Sequence, residues 1–422
     1  MTGRVASPGQ GGISLANIME GVRILEVAEQ TFVPAASAVL ADWGAEVIKI
    51  EHPERGDAMR GLASSGVMPS MGAVHVLLEH SNRGKKSIGI DIATPKGLDL
   101  VYRLAATSDV LLTNKLPPVR KKLHIECEDI RAHNPNIIYV AGTGGGERGP
   151  EADRGGYDFL SYWCRAGSAM GATPTDVNYL VGQPGPGYGD SIGGMTIAGG
   201  ILGALFHRER TGEALTVDVS LLGVGMWAMS PAIALSLQLD MPWRPGPSTG
   251  GGAAPTNPLV GTYQTQDGKF LAFTCLQGFK YWPSACTVLG REDLITDERF
   301  NSHEQLAANA KEARDILTEI FRSAPLSEWR ARLDSFDGQW AFAQDSLELT
   351  TDPQVEANGY LGETATSDGT PFQLVTTPVQ YAGEPAPPKR APEFNEHCDE
   401  ILAGIGCDPD EAMELKVAGV VA

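Results

Sequence analysis

The chain has 422 residues, 42% of them apolar and 7% aromatic, which is long enough for two or three domains with a substantial core. Its 52 acidic and 33 basic side chains give a formal charge of −19, and this excludes nucleic acid and anionic membrane as general partners, because both require a basic face. Six cysteines without a C-x-x-C pair, eight scattered histidines and the lack of a secretory segment before the first strand predict reduced thiols, a cytoplasmic setting and no metal site.

In chain order, the first 14 or so residues, rich in Gly, Ser and Pro, read as a loose tail. "GVRILEVAEQTFVPAASAVLADWGAEVIKIEHP" predicts a strand, a helix from near Pro34, a stop at Gly44 and a second strand over Glu46 to Ile50. The alternation continues. "SIGIDI" is a strand, "TPKGLDLVYRLAATS" a helix capped by Thr94, "DVLLTN" a strand, "CEDIRAHN" a helix and "IIYVAGTG" a strand. Alternating strands and helices predict a parallel sheet covered on both faces, with ligands beyond the carboxyl ends of its strands. No G-x-G-x-x-G follows the first strand, which counts against a dinucleotide fingerprint, and "GTGGGERG" lacks the P-loop Lys-Ser/Thr. The uncharged run Val219 to Leu239 is interrupted by Pro231 and flanked by Asp218 and Asp240, so a buried helix is expected there rather than a membrane span. The expected domains are a large one over 15–239, a smaller α+β one over 240–335 with a hairpin turning at Asp267-Gly268, and a segment over 336–422 that returns to the first.

Three features carry candidate chemistry. "NRGKKS", with Arg83, Lys85 and Lys86, and "NKLPPVRKK", with Asn114, Lys121 and Lys122, are cationic against an acidic background and flank strands of one sheet. A polyanionic small ligand would explain such a basic rim; two solvated faces would produce the same pattern. Asp190 stands behind a Gly-Pro-Gly-Tyr-Gly turn and before sixteen uncharged residues, Ser191 to Phe206. It reads either as a helix N-cap or as an ionised nucleophile on a glycine-lined turn.

These segments, together with "NPNIIYVAGTGGGERGPEADRGGYDF" and "GYGDSIGGMTIAGGILGALFHRERTGEALTVDVSLL", resemble in order and spacing the family III CoA-transferases, which include the related α-methylacyl-CoA racemases. The resemblance implies a Rossmann-like parallel-sheet domain with a smaller α+β domain, an interlocked homodimer, coenzyme A bound as acyl-CoA and a carboxylic acid acceptor. It implies Asp190 as the residue that forms an aspartyl-CoA thioester through a mixed anhydride. It also implies CoA contacts from Asn114, Lys121, Lys122, Arg83, Lys85 and Lys86, support from Tyr157 and Asp158, and a mobile glycine lid containing Gly251 and Gly252. Racemases of the family carry histidine at the position of Tyr157, so CoA transfer ranks above racemisation, and a non-catalytic CoA-binding protein is the third reading. Trp163 and Arg165 read as core packing and a surface salt bridge ahead of a role in binding a bulky acyl group.

Overall fold

The computed structural model describes residues 17–62, 72, 74–247 and 256–422. Gly251 and Gly252 lie outside the described residues. The apolar strand β1 (Arg23–Val27) leads through α1 (Phe32–Asp42) to β2 (Glu46–Glu51). Gly44, at φ +100°, takes the left-handed turn that stops the helix. Then come α2 (Val76–Asn82), β3 (Lys86–Gly89), α3 (Pro95–Ala106), β4 (Val110–Thr113), α4 (Pro117–Lys122), α5 (Cys127–Arg131) and β5 (Ile138–Thr143). Thr94 caps α3 by accepting from the Gly97 N–H. A π-helical turn, Phe159–Arg165, and the short α6 (Ser168–Ala172) precede the 24-residue α7 (Tyr188–Thr211) and β6 (Thr216–Ser220).

The six strands form one parallel sheet in the order β3-β2-β1-β4-β5-β6. Its strand order reverses between β1 and β4, the arrangement that opens a crevice at the carboxyl ends. One face packs α1 and α7 through Phe32, Val33, Ala36, Ile197 and Ile201; the other packs α3 and the C-terminal helices Cys398–Gly404 and Pro409–Val417.

Val219 to Leu239 departs from the expectation of a buried helix. It holds the end of β6 and two helices, α8 (Leu221–Ala228) and α9 (Ser230–Leu239), bent by 70° where Pro231 opens the second. No residue of α9 is buried, and Trp227, Leu237 and Leu239 are 81%, 78% and 62% exposed. By length and composition α7, or the bent pair taken together, would reach across a membrane; α7 instead lies with its glycine face inside the core.

The chain divides into two units. Of the described residues, the first comprises those up to 172, 180–243 and 354–422; the second comprises those in 173–179 and 244–353. The second holds a three-stranded antiparallel sheet, Val260–Gln264, Phe270–Thr274 and Trp340–Phe342, and four helices around Trp282, Phe300, Phe321 and Trp329. It extends beyond residue 335 because Trp340–Phe342 pairs with Phe270–Thr274, a non-local contact that reading along the chain does not reveal.

Candidate active site

At the carboxyl ends of β1 to β4 lies a cavity of about 260 Å³, walled by Glu29, His52, Arg55, Ile90, Lys115 and Val119 among others. It is smaller than the ~300–1,000 Å³ of a site that takes a whole drug-sized ligand, and suits one moiety of a larger molecule. The Lys115 ammonium stands 3.2 Å from Glu29 Oε1. Asn114 acts as a brace: its Oδ1 accepts from the Glu29 N–H at 3.2 Å and its Nδ2 donates to the Glu29 carbonyl at 2.7 Å. Lys121 and Lys122 are exposed in the last turn of α4, the helix whose Val119 walls the cavity, and neither forms an ion pair among the described residues.

The other basic segment does not join this rim. Arg83 is buried and paired with Asp42 at 2.8 Å. Lys85 is buried against Glu26 Oε2 at 2.7 Å, the Pro34 carbonyl and Asn82. Lys86 opens β3 and pairs with Glu46 and Glu400. In a parallel sheet the residues that enter β3 lie at the opposite edge from those that leave β4, so the two cationic runs cannot share one rim. The buried cations instead brace the loop after β1. Lys49 bridges Glu26 and Asp57 at 2.7 Å each, and Asp57 Oδ1 accepts from the N–H groups of Gln30 and Met59. Burial opposes the charge on Glu26, but Lys49 and Lys85 outweigh it and hold the carboxyl below its usual range. Gln30 sits at φ +70°, a left-handed conformation uncommon outside glycine, and Asp57 holds it there while Asn114 holds its neighbour.

The braced loop leads to the start of α7. Gly187, at φ +67°, is the N-cap of α7, and a Cβ placed on it would stand 3.4 Å from Thr31 Cγ2. Asp190 is therefore the third helical residue and not the cap, which corrects the capping alternative. Its carboxylate has no hydrogen-bond or cationic partner among the described residues. The helix reaches this depth because Gly193 and Gly194 lie directly on α1: added Cβ atoms would meet Phe32 at 2.4 Å and Ala35 at 2.7 Å.

Asp158, buried at the head of the π-helical turn, is the charge that acts on Asp190. Its Oδ1 accepts from the Phe159 N–H at 2.7 Å and its Oδ2 from Gln183 Nε2 at 3.1 Å. Gly144 of the glycine run after β5 packs against Gly156 and helps set this turn in place. Burial first, and the Asp158 charge second, push the Asp190 carboxyl up to about 7. A position at a helix start does not keep it ionised as a cap would. Tyr157 is 64% exposed beside Asp158. Trp163 is buried and donates its indole N–H to the Val181 carbonyl at 2.8 Å, while Arg165 pairs at the surface with Glu151.

Sequence reading missed several neighbours. Lys115, His52 and Arg55 line the cavity; the "NKLPP" and "EHPERGD" loops after β4 and β2 carried that signal. His80 Nε2 lies 3.0 Å from Ser191 Oγ, which itself donates to the Gly187 carbonyl at 2.8 Å, so the imidazole donates its Nε2–H. Burial, with Arg83 nearby, lowers His80 to about 4 and leaves it neutral. No spacing in the sequence links residues 80 and 191. Among the described residues no group of three His, Cys, Asp or Glu side chains is arranged to hold a metal.

Comparison with known proteins places the chain in a family. The chain is 30% identical over 412 residues to a cinnamoyl-CoA:phenyllactate CoA-transferase of Clostridium sporogenes, covering 95% of this chain and 96% of the relative. It is 28% identical to an (R)-2-hydroxy-4-methylpentanoate CoA-transferase of Clostridioides difficile, covering 96% and 99%. A CAIB/BAIF family protein from Brucella suis superposes with a TM-score of 0.78 at 27% identity, over 92% of this chain and 99% of that one. The sequence model of CoA-transferase family III matches residues 19–398, and with these relatives it shows that the chain belongs to CoA-transferase family III and is a CoA-transferase.

Proposed function

We propose that the chain transfers CoA from an acyl-CoA donor to a carboxylic acid through a covalent intermediate on Asp190. The observation that carries this reading is the isolation of that carboxylate. It is half-buried, with no cation or hydrogen-bond donor among the described residues and with the Asp158 charge acting on it, on a helix whose start meets a loop that begins in the cavity. Ala28, in the cavity wall, and Thr31, beside Gly187, are three residues apart, so at most ~11 Å of chain separates them. A nucleotide end in the cavity and a thioester at Asp190 would then be two ends of one ligand.

In the proposed steps Asp190 attacks the donor thioester carbonyl and expels CoA thiolate, leaving a mixed anhydride. The thiolate attacks the aspartyl carbonyl and expels the donor carboxylate, giving an aspartyl-CoA thioester. The acceptor carboxylate attacks that carbonyl and expels the thiolate again; the thiolate then takes the acceptor acyl group and frees Asp190. No proton is consumed. Each step exchanges one activated acyl group for another, the advantage of covalent catalysis.

Lys115, Arg55, Lys121 and Lys122 are the cations available to the CoA phosphates. Tyr188, Ile192 and Tyr157, exposed large side chains within two residues of Asp190 or beside Asp158 in the chain, are aromatic or aliphatic. Two similar proteins act on phenyllactate and 2-hydroxy-4-methylpentanoate, so an acid with an aromatic or branched side chain is the acceptor class this wall favours. The unpartnered apolar surface of α8 and α9, with Trp227, Leu237 and Leu239, supports a homodimer. Racemisation lacks support: Tyr157 carries no imidazole, and His80 Nε2 is engaged by Ser191. The test is a mass-spectrometric screen of acyl-CoA donors against carboxylic acids. New acyl-CoA formed only when both are present supports transfer; deuterium uptake at the α-carbon without an acceptor would support racemisation instead.

A further inference from the structure

We infer that His80 is a positioning residue for Asp190: through Ser191 it ties the first turn of α7, which carries Asp190, to α2. This rests on the reading of Asp190 as the nucleophile. The start of α7 lacks the usual device for fixing a helix end. Its N-cap, Gly187, has no side chain to bond the free N–H groups of the first turn, and the chain reaches it through Gly185 and Pro186. The close contacts there are steric. Gly187 stands against Thr31, and a Cβ on Gly189 would lie 2.5 Å from Tyr162 Cγ. Such contacts limit approach but do not hold a turn in one orientation.

His80 supplies the directional contact. Ser191 donates both its N–H and its Oγ–H to the Gly187 carbonyl, each at 2.8 Å, and so closes the turn around Asp190. The hydroxyl hydrogen is thereby committed, and Ser191 Oγ accepts from His80 Nε2–H at 3.0 Å. Among the described residues this is the one hydrogen bond that a side chain outside α7 makes to residues 187–191. His80 is itself anchored. Arg83 Nη1 donates to the His80 carbonyl at 2.5 Å and Arg83 Nε to Asp42 Oδ2 of α1 at 2.8 Å, while Glu79 Oε2 accepts from the Ala391 N–H at 2.6 Å. Through Arg83, His80 and Ser191, hydrogen bonds thus run from Asp42 to Gly187, and Asp190 lies inside the last turn they reach. A roll of that turn would carry the Asp190 carboxylate away from the thioester carbon, and a displacement of about 1 Å can cost ~100-fold in rate.

The test reads the turn apart from turnover. Amide hydrogen exchange is followed by mass spectrometry on the full-length protein without ligand, in peptides that cover α7. His80→Met removes the donor and keeps an apolar chain of similar length. Exchange in the first turn of α7 should then rise about 2- to 10-fold, with the rest of the helix unchanged. His80→Gln carries an N–H donor at about the reach of Nε2 and should restore wild-type exchange. With the acyl-CoA and acid that the screen returns, His80→Met should lower kcat about 10-fold and leave KM for the acyl-CoA within about 2-fold, and His80→Gln should recover most of kcat. Ser191→Ala cuts the same bond from the α7 side and serves if the Met protein does not fold; joined to His80→Met it should add nothing. Wild-type exchange or wild-type kcat in His80→Met, a loss that His80→Gln does not restore, or losses that multiply in the double variant would overturn the inference. The nucleophile assignment is decided apart from this, by whether the wild-type protein forms an adduct on Asp190, on which the exchange reading does not depend.

Discussion

Replacing Asp190 by Asn should stabilise the fold above neutral pH while abolishing turnover. In the folded protein the Asp190 carboxyl is pushed up to about 7, against about 3.8 in an unfolded chain. The folded state therefore holds the proton more tightly. The associated stability is fully present below about pH 3.8 and is lost as pH rises through about 7. Between pH 5 and pH 8 this loss amounts to at most ~3 kcal/mol, and because Asp190 retains some solvent contact, ~1–2 kcal/mol is the expected size. Asn removes the titration and keeps the size. Urea melts of both proteins at equal concentration at pH 5 and pH 8 give four midpoints. The gap between variant and wild type should widen in favour of Asn at pH 8. An equal gap at both pH values would refute the claim that a half-buried, unpaired charge sits at this position.

Asp158→Asn removes the smaller of the two influences on Asp190, so the acid limb of kcat/KM should move down by less than ~1.5 pH units; a limb that stays in place would uncouple the two carboxylates. Lys115→Ala should raise KM for the acyl-CoA donor several-fold with kcat nearly unchanged, and Lys121→Ala with Lys122→Ala should also weaken its salt dependence. The corresponding change at Lys86, at the other edge of the sheet, should leave KM alone. Gly194→Ala would drive a methyl to 2.7 Å from Ala35 Cβ and should lower stability by ~1–3 kcal/mol, read as a fall in melting temperature.

The parallel sheet was legible because its signals are local. Runs such as Glu46 to Ile50, the Thr94 cap and the Gly44 stop act within a few residues, and the order of elements then implies the layers. The N-terminus of α7 was not, because the chain turns at Gly187 through a left-handed conformation that three nearby glycines could equally have supplied. The two cationic runs look alike in sequence, yet one enters β3 and the other leaves β4. Strand direction separates them, and a buried cation such as Lys85 needs a partner, Glu26, that lies 59 residues away. The pairing of Asp158 with Gln183 and of His80 with Ser191 likewise depends on tertiary contacts between loops and helices far apart in the chain.

The covalent role of Asp190 is tested most directly by incubating the protein with an acyl-CoA donor and no acceptor, then mapping adducts on the peptide that spans Ala166 to Arg208. The account predicts CoA or the acyl group attached at Asp190, released by hydroxylamine as the aspartyl hydroxamate, and no adduct in Asp190→Asn. An adduct on another residue, or full transferase activity in Asp190→Asn, would contradict it.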